Sequence, residues 1–202
     1  MKDFKGLLAD SLDDMRGKYI CVSNAHACVM AHDDPAYWSC QAESVASIPD
    51  GKPLSVVGRK QVPTMDRVTG PDLMRETFSI SAKHGWKHYF YGDKQETLDA
   101  LRATLEREYP GMEICGMEPS VFRPLTDIEK DELCRRVDAV GTDFCWVALG
   151  APRQEVLMHD LNGRTKSLMA GVGGAFKVLA GCVPEAPRWM QNAGLEWFYR
   201  LA

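Results

Sequence analysis

Short apolar segments alternate with amphipathic segments along most of this chain. The apolar segments are Tyr19–Ser23, Ser44–Ile48, Lys87–Tyr91, Met112–Gly116, Phe144–Leu149 and Ser167–Val172. Phe144–Leu149 is the clearest of them, because none of its side chains is polar. An uninterrupted apolar run of this length, bounded by turn signals, predicts a strand that is covered on both faces, as in a parallel sheet.

Between these strands, apolar side chains recur at helical spacing. Predicted helices cover residues 3–16, 25–31, a stretch that starts at 33–35, and residues 71–83, 96–109, 126–140, 153–161 and 175–180. Thr126 with Glu129 fits a capping box at the start of one of them. Strands that alternate with helices predict an α/β fold, with a mostly parallel, Rossmann-like sheet of about six strands and helices on both faces.

The chain has the size and composition of one globular domain. It has 202 residues, of which 45% are hydrophobic and 26% are charged. We expect an N-terminal helix over residues 1–17 and aromatic-rich terminal helices over residues 186–202. This last segment docks on the core, forms the start of a membrane-facing appendage, or does both in different parts, since Trp and Tyr favour bilayer boundaries. Residues 52–69 are less regular, which indicates a functional loop or short-helix region.

Charge and cysteine usage argue against several classes of protein. The net charge of −4 provides no global basic field for nucleic acid, and no apolar run approaches the roughly 20 residues that span a bilayer. The acidic N-terminus does not resemble a signal peptide. Seven cysteines without a C-x-x-C pair indicate reduced thiols in a cytoplasmic protein. The histidines lack metal-ligand spacing and no D-x-D motif occurs, so we expect no metal.

Polar residues follow three of the predicted strands. Asn24 follows the first strand, and Asp50 lies in a Pro-Asp-Gly turn after the second. Gly150 ends the run that begins at Phe144, and Gln154 and Glu155 open the next helix. The carboxyl ends of parallel strands share one edge, where α/β proteins bind ligands, and a carboxylate there suits a general base. Taken singly, each pattern also fits an ordinary turn.

Gly173 and Gly174 follow the last predicted strand and open a helix. Small residues at such a junction let a phosphate approach backbone N–H groups, although they also serve close packing. The pattern is neither G-x-G-x-x-G nor a P-loop, so a nicotinamide site is weakly supported. Arg59, Lys60 and Arg67 either hold a phosphate or lie on a solvated face.

Several of these stretches carry a family resemblance. The matching segments are Asn24–His26, Pro49–Gly51, Arg67–Leu73, Tyr91–Gly92, Tyr109–Gly111, Leu149–Glu155, Val172–Phe176, Ala186–Trp189, Gly194–Trp197 and Tyr199–Leu201. In this order the chain resembles the bacterial WecG/TagA/CpsF glycosyltransferase family from about residue 19 to its end. Each motif alone is weak, but the ordered set is specific.

The resemblance implies an inverting glycosyltransferase without an obligatory metal or other cofactor. It implies transfer of N-acetylmannosamine, glucose or a related sugar from a UDP-sugar to an undecaprenyl-diphosphate-linked saccharide, in cell-surface or exopolysaccharide synthesis. The implied partners are the UDP-sugar donor, the lipid-linked acceptor and the inner-membrane surface, with no nucleic acid. The implied location is cytoplasmic, with peripheral association with the inner membrane.

The resemblance also implies roles for individual residues. Asp50 is the predicted general base that deprotonates the acceptor hydroxyl, and Asn24 lines the predicted sugar pocket. Arg67, Gln154 and Glu155 are predicted to hold the donor. The other predicted substrate-binding residues are Gly150, Gly173, Gly174 and Arg200.

Three positions depart from the family pattern. Lys177 stands where the family usually has Asp, Glu185 where it usually has Arg, and Val22 where some members have Thr. The first two changes alter the charge near the pocket and leave the donor open. Family members commonly continue into a basic tail that covers the site, and a form without that tail is expected to bind donor yet turn over poorly. Two alternatives remain: another α/β nucleotide-binding enzyme, and a catalytically inactive relative that binds a nucleotide-sugar.

Overall fold

The fold alternates strands and helices, and the computed structural model describes residues 2–187 and 189–190. The strands are β1 (Tyr19–Ser23), β2 (Ala46–Pro49), β3 (Lys87–Gly92), β4 (Glu113–Glu118), β5 (Phe144–Ala148) and β6 (Leu168–Gly171). The helices are α1 (Lys2–Met15), α2 (Ala25–Asp33), α3 (Pro35–Ala42), α4 (Lys52–Gly58), α5 (Gly70–His84), α6 (Gln95–Glu108), α7 (Asp127–Ala139), α8 (Arg153–Asp160) and α9 (Ala175–Leu179).

The six strands form one parallel sheet in the order β2-β1-β6-β5-β3-β4. This confirms the α/β fold that the sequence predicts. The connections from β2 to β3 and from β3 to β4 run in one direction, whereas those from β1 to β2 and from β4 through β5 to β6 run in the other. Crossovers of a single hand put helices on opposite faces when the direction reverses, so both faces of the sheet are covered.

Alternate residues of the central strands enter two apolar clusters, one on each face of the sheet. On β5, Phe144 and Trp146 belong to the first cluster, whereas Cys145 and Val147 belong to the second. Helices α1, α5, α6 and α9 contribute to the first cluster, and α7 and α8 contribute to the second. All five residues of β5 are buried, which is the physical reason for its continuous apolar sequence.

The element boundaries differ from the prediction by a few residues. Strand β4 runs to Glu118, two residues beyond the predicted end. The capping box of Thr126 and Glu129 is present at the start of α7, as predicted. The irregular region after residue 51 contains the short helix α4. The predicted terminal helices over residues 186–202 lie largely outside the described residues.

A buried chain of hydrogen bonds joins the sheet to α5. The indole Nε1 of Trp146 donates to His88 Nδ1 over 3.1 Å, and His88 Nε2 lies 2.8 Å from Ser81 Oγ, which donates to the Thr77 carbonyl. With Nδ1 accepting, the ring proton sits on Nε2, and the imidazole is neutral. Burial lowers the pKa of His88 to about 3.

We predict that His88 makes the fold sensitive to acid. The pKa of His88 is depressed in the folded chain, so its contribution to stability is complete above the unfolded pKa of about 6.5 and is lost as the pH falls toward 3. The free energy of unfolding should fall by up to about 1.4 kcal/mol per pH unit in this window. Urea denaturation between about pH 7 and about pH 5 measures this slope.

The variant His88→Phe separates this effect from general acid sensitivity. It should be less stable, because Trp146 Nε1 and Ser81 Oγ lose a partner, but its stability should vary less steeply with pH. His32→Gln, at an exposed histidine, should keep the parent slope. A slope in His88→Phe equal to that of the parent would show that His88 is not the titrating group.

Candidate active site

Asn24 and Asp50 occupy adjacent strand ends at the carboxyl edge of the sheet. Ser23 pairs with Pro49 in the β1–β2 register, and the Asp50 backbone N–H donates to the Ser23 carbonyl over 2.8 Å. Asn24 caps α2, since its Oδ1 accepts a hydrogen bond of 3.0 Å from the Ala27 N–H. Asn24 is exposed and Asp50 is half-buried. The edge therefore holds a carboxylate beside an amide, as the sequence predicts.

The chain leaves this edge after Asp50 and returns to it at Arg67. Gly51 has a φ of 108°, a left-handed conformation that favours glycine, and it precedes α4. The return is fixed by a hydrogen bond of 3.0 Å from the Val68 N–H to the Pro49 carbonyl. We name residues 51–67 the acceptor-side loop. Because its two ends meet, Asp50 and the half-buried Arg67 flank the same end of β2.

Gln154 links the start of α8 to the glycine turn after β6. The Gly173 N–H donates to Gln154 Oε1 over 3.0 Å, and Gln154 Nε2 donates to Glu155 Oε1 over 2.8 Å. A Cβ on Gly171 would lie 2.7 Å from Met158 Cε and 3.0 Å from Gln154 Nε2. Glycine at position 171 therefore makes room for the amide, which in turn fixes the backbone of the turn.

Both Gln154 and Glu155 are buried, with 3% and 1% of their surfaces exposed. Within the described part of the chain, Glu155 Oε2 is buried without a hydrogen-bond partner. Burial raises the pKa of Glu155, and the hydrogen bond from Gln154 opposes this effect. Burial also raises the pKa of Cys21 and of Tyr37, and the nearby Glu155 charge adds to both shifts. The two buried side chains thus hold the backbone of the glycine turn in place. Their direct contact with a ligand stays a prediction.

Gly92 ends β3, and Gly150 lies two residues after the end of the neighbouring strand β5. The connections that leave these two strands run in opposite directions along the sheet. The chain runs from β5 to β6 on one side and from β3 to β4 on the other, and such a switch point opens a crevice at the carboxyl edge. A Cβ on Gly92 would lie 2.4 Å from the Ala148 carbonyl oxygen, so glycine permits the close approach of the two strand ends. Gly150, with a φ of 75°, starts the turn into α8.

Asp93 is a polar residue at this crevice that the sequence analysis did not assign to the site. It is buried and has a φ of 53°. Its Oδ1 accepts hydrogen bonds from the Lys94 N–H at 2.9 Å and from Thr97 Oγ1 at 3.1 Å, and its Oδ2 lies 3.8 Å from Lys177 Nζ. Non-glycine residues held at positive φ cluster at functional sites. A Gly-Asp pair directly after a strand was the signal for it.

The charged departures from the family pattern both have partners of opposite charge. Glu185 accepts two hydrogen bonds from Arg75 on α5, at 3.1 and 2.8 Å, and thereby ties α5 to the segment after α9. Lys177 is half-exposed on α9, beside Asp93. Val22, the third departure, is partly buried against the first apolar cluster.

The remaining predicted positions complete the edge only in part. Gly173 has a φ of 53°, and the exposed Gly174 precedes α9. Arg200 lies outside the described residues, so its predicted role stays a prediction. Among the described residues, no group of three or more His, Cys, Asp and Glu side chains is placed to hold a metal ion.

The arrangement provides two kinds of chemistry at one edge. Asp50, at the end of β2, can accept a proton from a bound hydroxyl group. In the glycine turn after β6, the N–H groups of Gly173 and Ala175 donate to acceptors within the chain, so the Gly174 N–H is the backbone donor of the turn that can meet an anion. One strand end, that of β1 with Asn24, separates the two groups in the sheet order. Proton transfer and anion stabilisation on opposite sides of a bound molecule are what a group-transfer reaction requires.

Comparison with known proteins shows the family to which the chain belongs. The chain is 29% identical over 192 residues to the N-acetylglucosaminyldiphosphoundecaprenol N-acetyl-β-D-mannosaminyltransferase of Bacillus subtilis (strain 168). This alignment covers 94% of the chain and 73% of the relative. The family model of the glycosyl transferase WecG/TagA/CpsF family matches residues 1–202. This match over the full length shows that the chain is a glycosyltransferase and belongs to the WecG/TagA/CpsF family.

Proposed function

We propose that this glycosyltransferase inverts the anomeric centre of a UDP-sugar as it transfers the sugar to an undecaprenyl-diphosphate-linked saccharide. N-Acetylmannosamine, glucose or a related hexose is the proposed sugar, and the N-acetyl-β-D-mannosaminyl group in the name of the Bacillus subtilis relative favours the first. The observation that carries the proposal is the fixed position of Asp50, whose backbone is bonded to the end of β1 beside Asn24.

The proposed donor lies across the ends of β6 and β5. The glycine turn offers the Gly174 N–H to the diphosphate, and the hydrogen bonds from Gln154 to Glu155 and from Gly173 to Gln154 hold that turn in place. Gly150 leaves room for the donor on the adjacent strand end. A preorganised set of donors costs little reorganisation when the leaving diphosphate gains charge.

The proposed reaction is a single displacement. Asp50 takes the proton of the acceptor hydroxyl as its oxygen forms a bond to the anomeric carbon, on the face opposite the diphosphate. The bond from the anomeric carbon to the diphosphate oxygen breaks, and its electron pair leaves with UDP. An α-linked donor thus gives a β-linked product, which agrees with the β in the name of the relative. Arg67 and Arg200 are the proposed cations for the leaving group.

The proposed acceptor requires the enzyme to act at a membrane surface. A polyprenyl chain is buried in the bilayer, whereas a UDP-sugar is dissolved in water, so the two meet only at the headgroup layer. We therefore propose a peripheral association with the cytoplasmic face of the inner membrane. In the described part of the chain, no helix has the length and apolar character of a membrane span.

A catalytically inactive relative is the second candidate, because Lys177 and Glu185 reverse the charges usual in the family. Glu185 accepts two hydrogen bonds from Arg75, which gives its charge a structural partner. Lys177 is therefore the observation that favours this candidate. Protection by UDP without transfer to any lipid-linked acceptor would support it.

We predict that Asp50→Asn removes nearly all transfer activity and leaves the fold intact. The amide keeps the shape of the side chain but cannot accept the proton, so kcat should fall by about 10²- to 10⁴-fold. Binding of the donor should persist, because the glycine turn lies on other strands. Transfer of labelled sugar measures kcat, and thermal denaturation with and without UDP measures binding.

Asp99→Asn on the exposed face of α6 is the matched control and should keep the parent rate. Protection by UDP but not by adenine nucleotides separates this function from that of another nucleotide-binding enzyme. Full activity of Asp50→Asn would remove Asp50 from the mechanism.

We predict that Glu155→Gln changes how stability depends on pH. Because the pKa of Glu155 is raised in the folded chain, the folded state holds this proton more tightly, and stability falls as the pH rises above the unfolded pKa of about 4.3. The variant lacks this loss, and its amide oxygen can still accept from Gln154 Nε2. Its free energy of unfolding, measured by urea denaturation, should therefore rise relative to that of the parent as the pH rises above about 4.3.

The companion variant Gln154→Ala breaks the support of the glycine turn and should raise the KM for the donor by about tenfold. Glu96→Gln, at an exposed carboxylate in the first turn of α6, controls for the change of charge. If the free energy of unfolding changes with pH in the same way for the parent and for Glu155→Gln, ionisation of Glu155 does not destabilise the folded chain and the prediction is wrong.

A further inference from the structure

The acceptor-side loop is a basic segment in an acidic protein. Residues 51–65 contain no Asp or Glu but carry Lys52, Arg59 and Lys60, whereas the whole chain has a net charge of −4. Lys60 is exposed. Arg59 donates to the Met65 carbonyl over 2.8 Å and lies 3.5 Å from Asp66, which begins the return to the sheet. Arg59 and Lys60 are both exposed, so the loop presents positive charge to the solvent.

Apolar side chains stand beside these cations and face solvent. Val56, Val57 and Val62 are 50%, 62% and 45% exposed. Ser55, on the opposite side of α4, is fully buried and donates to the Lys52 carbonyl. The loop thus turns a polar residue inward and valines outward, which is the reverse of the usual arrangement of a surface helix.

Backbone hydrogen bonds hold the exposed valines in place. The Lys60 N–H donates to the Val57 carbonyl over 3.1 Å, and the Val62 N–H donates to the Gly58 carbonyl over 2.9 Å. A Cβ on Gly58 would lie 2.0 Å from Met65 Sδ, so Met65 packs directly on the backbone of Gly58. A surface fixed in this way loses little conformational entropy when it meets a partner.

We propose that the acceptor-side loop docks on an anionic lipid bilayer and turns the carboxyl edge of the sheet toward it. The proposal rests on the proposed function, which requires the acceptor hydroxyl to reach Asp50 while the lipid stays in the bilayer. The loop begins directly after Asp50 and returns to the Pro49 carbonyl, so a bilayer against the loop lies beside the base.

The chemistry of the loop suits a bilayer surface. Lys and Arg near an anionic leaflet are attracted by its surface potential, and small apolar side chains between them can enter the boundary between headgroups and acyl chains. Net negative charge elsewhere on the protein is repelled by the same leaflet, which favours the one orientation that puts the loop against it.

Vesicle binding tests the docking without substrate. The full chain is mixed with phosphatidylglycerol–phosphatidylcholine vesicles that contain no acceptor, and bound protein is measured by co-sedimentation. The parent should bind these vesicles better than pure phosphatidylcholine vesicles. Lys60→Glu should raise the dissociation constant by about fivefold or more, since each cation near the surface contributes about this factor. Val57→Ser should raise it by about threefold.

Matched controls lie at the amino edge of the sheet. Lys166→Glu changes the net charge by the same amount before β6, and Val140→Ser removes an exposed valine after α7. Both should bind vesicles as the parent does. The docking would be overturned if Lys60→Glu and Lys166→Glu weakened vesicle binding equally. It would also be overturned if the parent bound vesicles equally well with and without anionic lipid.

Activity on a water-soluble acceptor with a short prenyl chain separates docking from the proposed function. Lys60→Glu should transfer sugar to this acceptor at the parent rate and lose rate only on vesicle-bound acceptor. Specific vesicle binding without transfer to either acceptor would refute the proposed function and leave the docking. Transfer to both acceptors at the parent rate by Lys60→Glu would refute the docking and leave the proposed function.

Discussion

Burial of β5 from both sides is the constraint on which the rest of the structure depends. Strands β3 and β6 pair with it on either side, and its side chains alternate between two apolar clusters. A shift of its register by one residue would move Trp146 from one cluster to the other, and all the remaining side chains of the strand would change faces as well. The register is therefore fixed. It sets the position along the sheet at which β5 ends and Gly150 begins the turn into α8.

The candidate site inherits its rigidity from this sheet through a small number of hydrogen bonds. Asp50 is bonded to the end of β1, and the Val68 N–H brings the returning chain back to the end of β2. On the other side, Gln154 ties the first turn of α8 to Gly173 after β6. The proposed base and the proposed anion-binding turn thus belong to loops, but each loop is fastened to a strand whose register cannot slip. Preorganisation of this kind is what electrostatic catalysis needs.

Local sequence patterns were sufficient for the sheet but not for the burial of polar groups. Apolar runs and the Thr126 capping signal depend on neighbours in sequence, so strand order aside, the α/β architecture could be predicted. An acidic residue in the first turn of a helix is favoured by the helix dipole and is expected to be exposed, yet Glu155 is buried. Its cover includes α3, more than 100 residues earlier in the chain, and His88 is buried by contacts of the same long-range kind. The Asn24, Asp50 and Gly150 positions were predictable because every parallel strand ends at the same edge.

The two charge reversals affect the site to different degrees. Glu185 is held by two hydrogen bonds from Arg75, so its carboxylate neutralises a cation of α5. Lys177 is half-exposed, and its Nζ lies 3.8 Å from Asp93 Oδ2, which is about 1 Å longer than a well-formed charge-assisted hydrogen bond. So weak a pair leaves Lys177 able to turn toward an anion in the crevice. A diphosphate in the crevice would be attracted by this cation and repelled by the aspartate usual in the family, so we propose that the reversal at position 177 bears on donor choice more than on the proposed chemistry at Asp50.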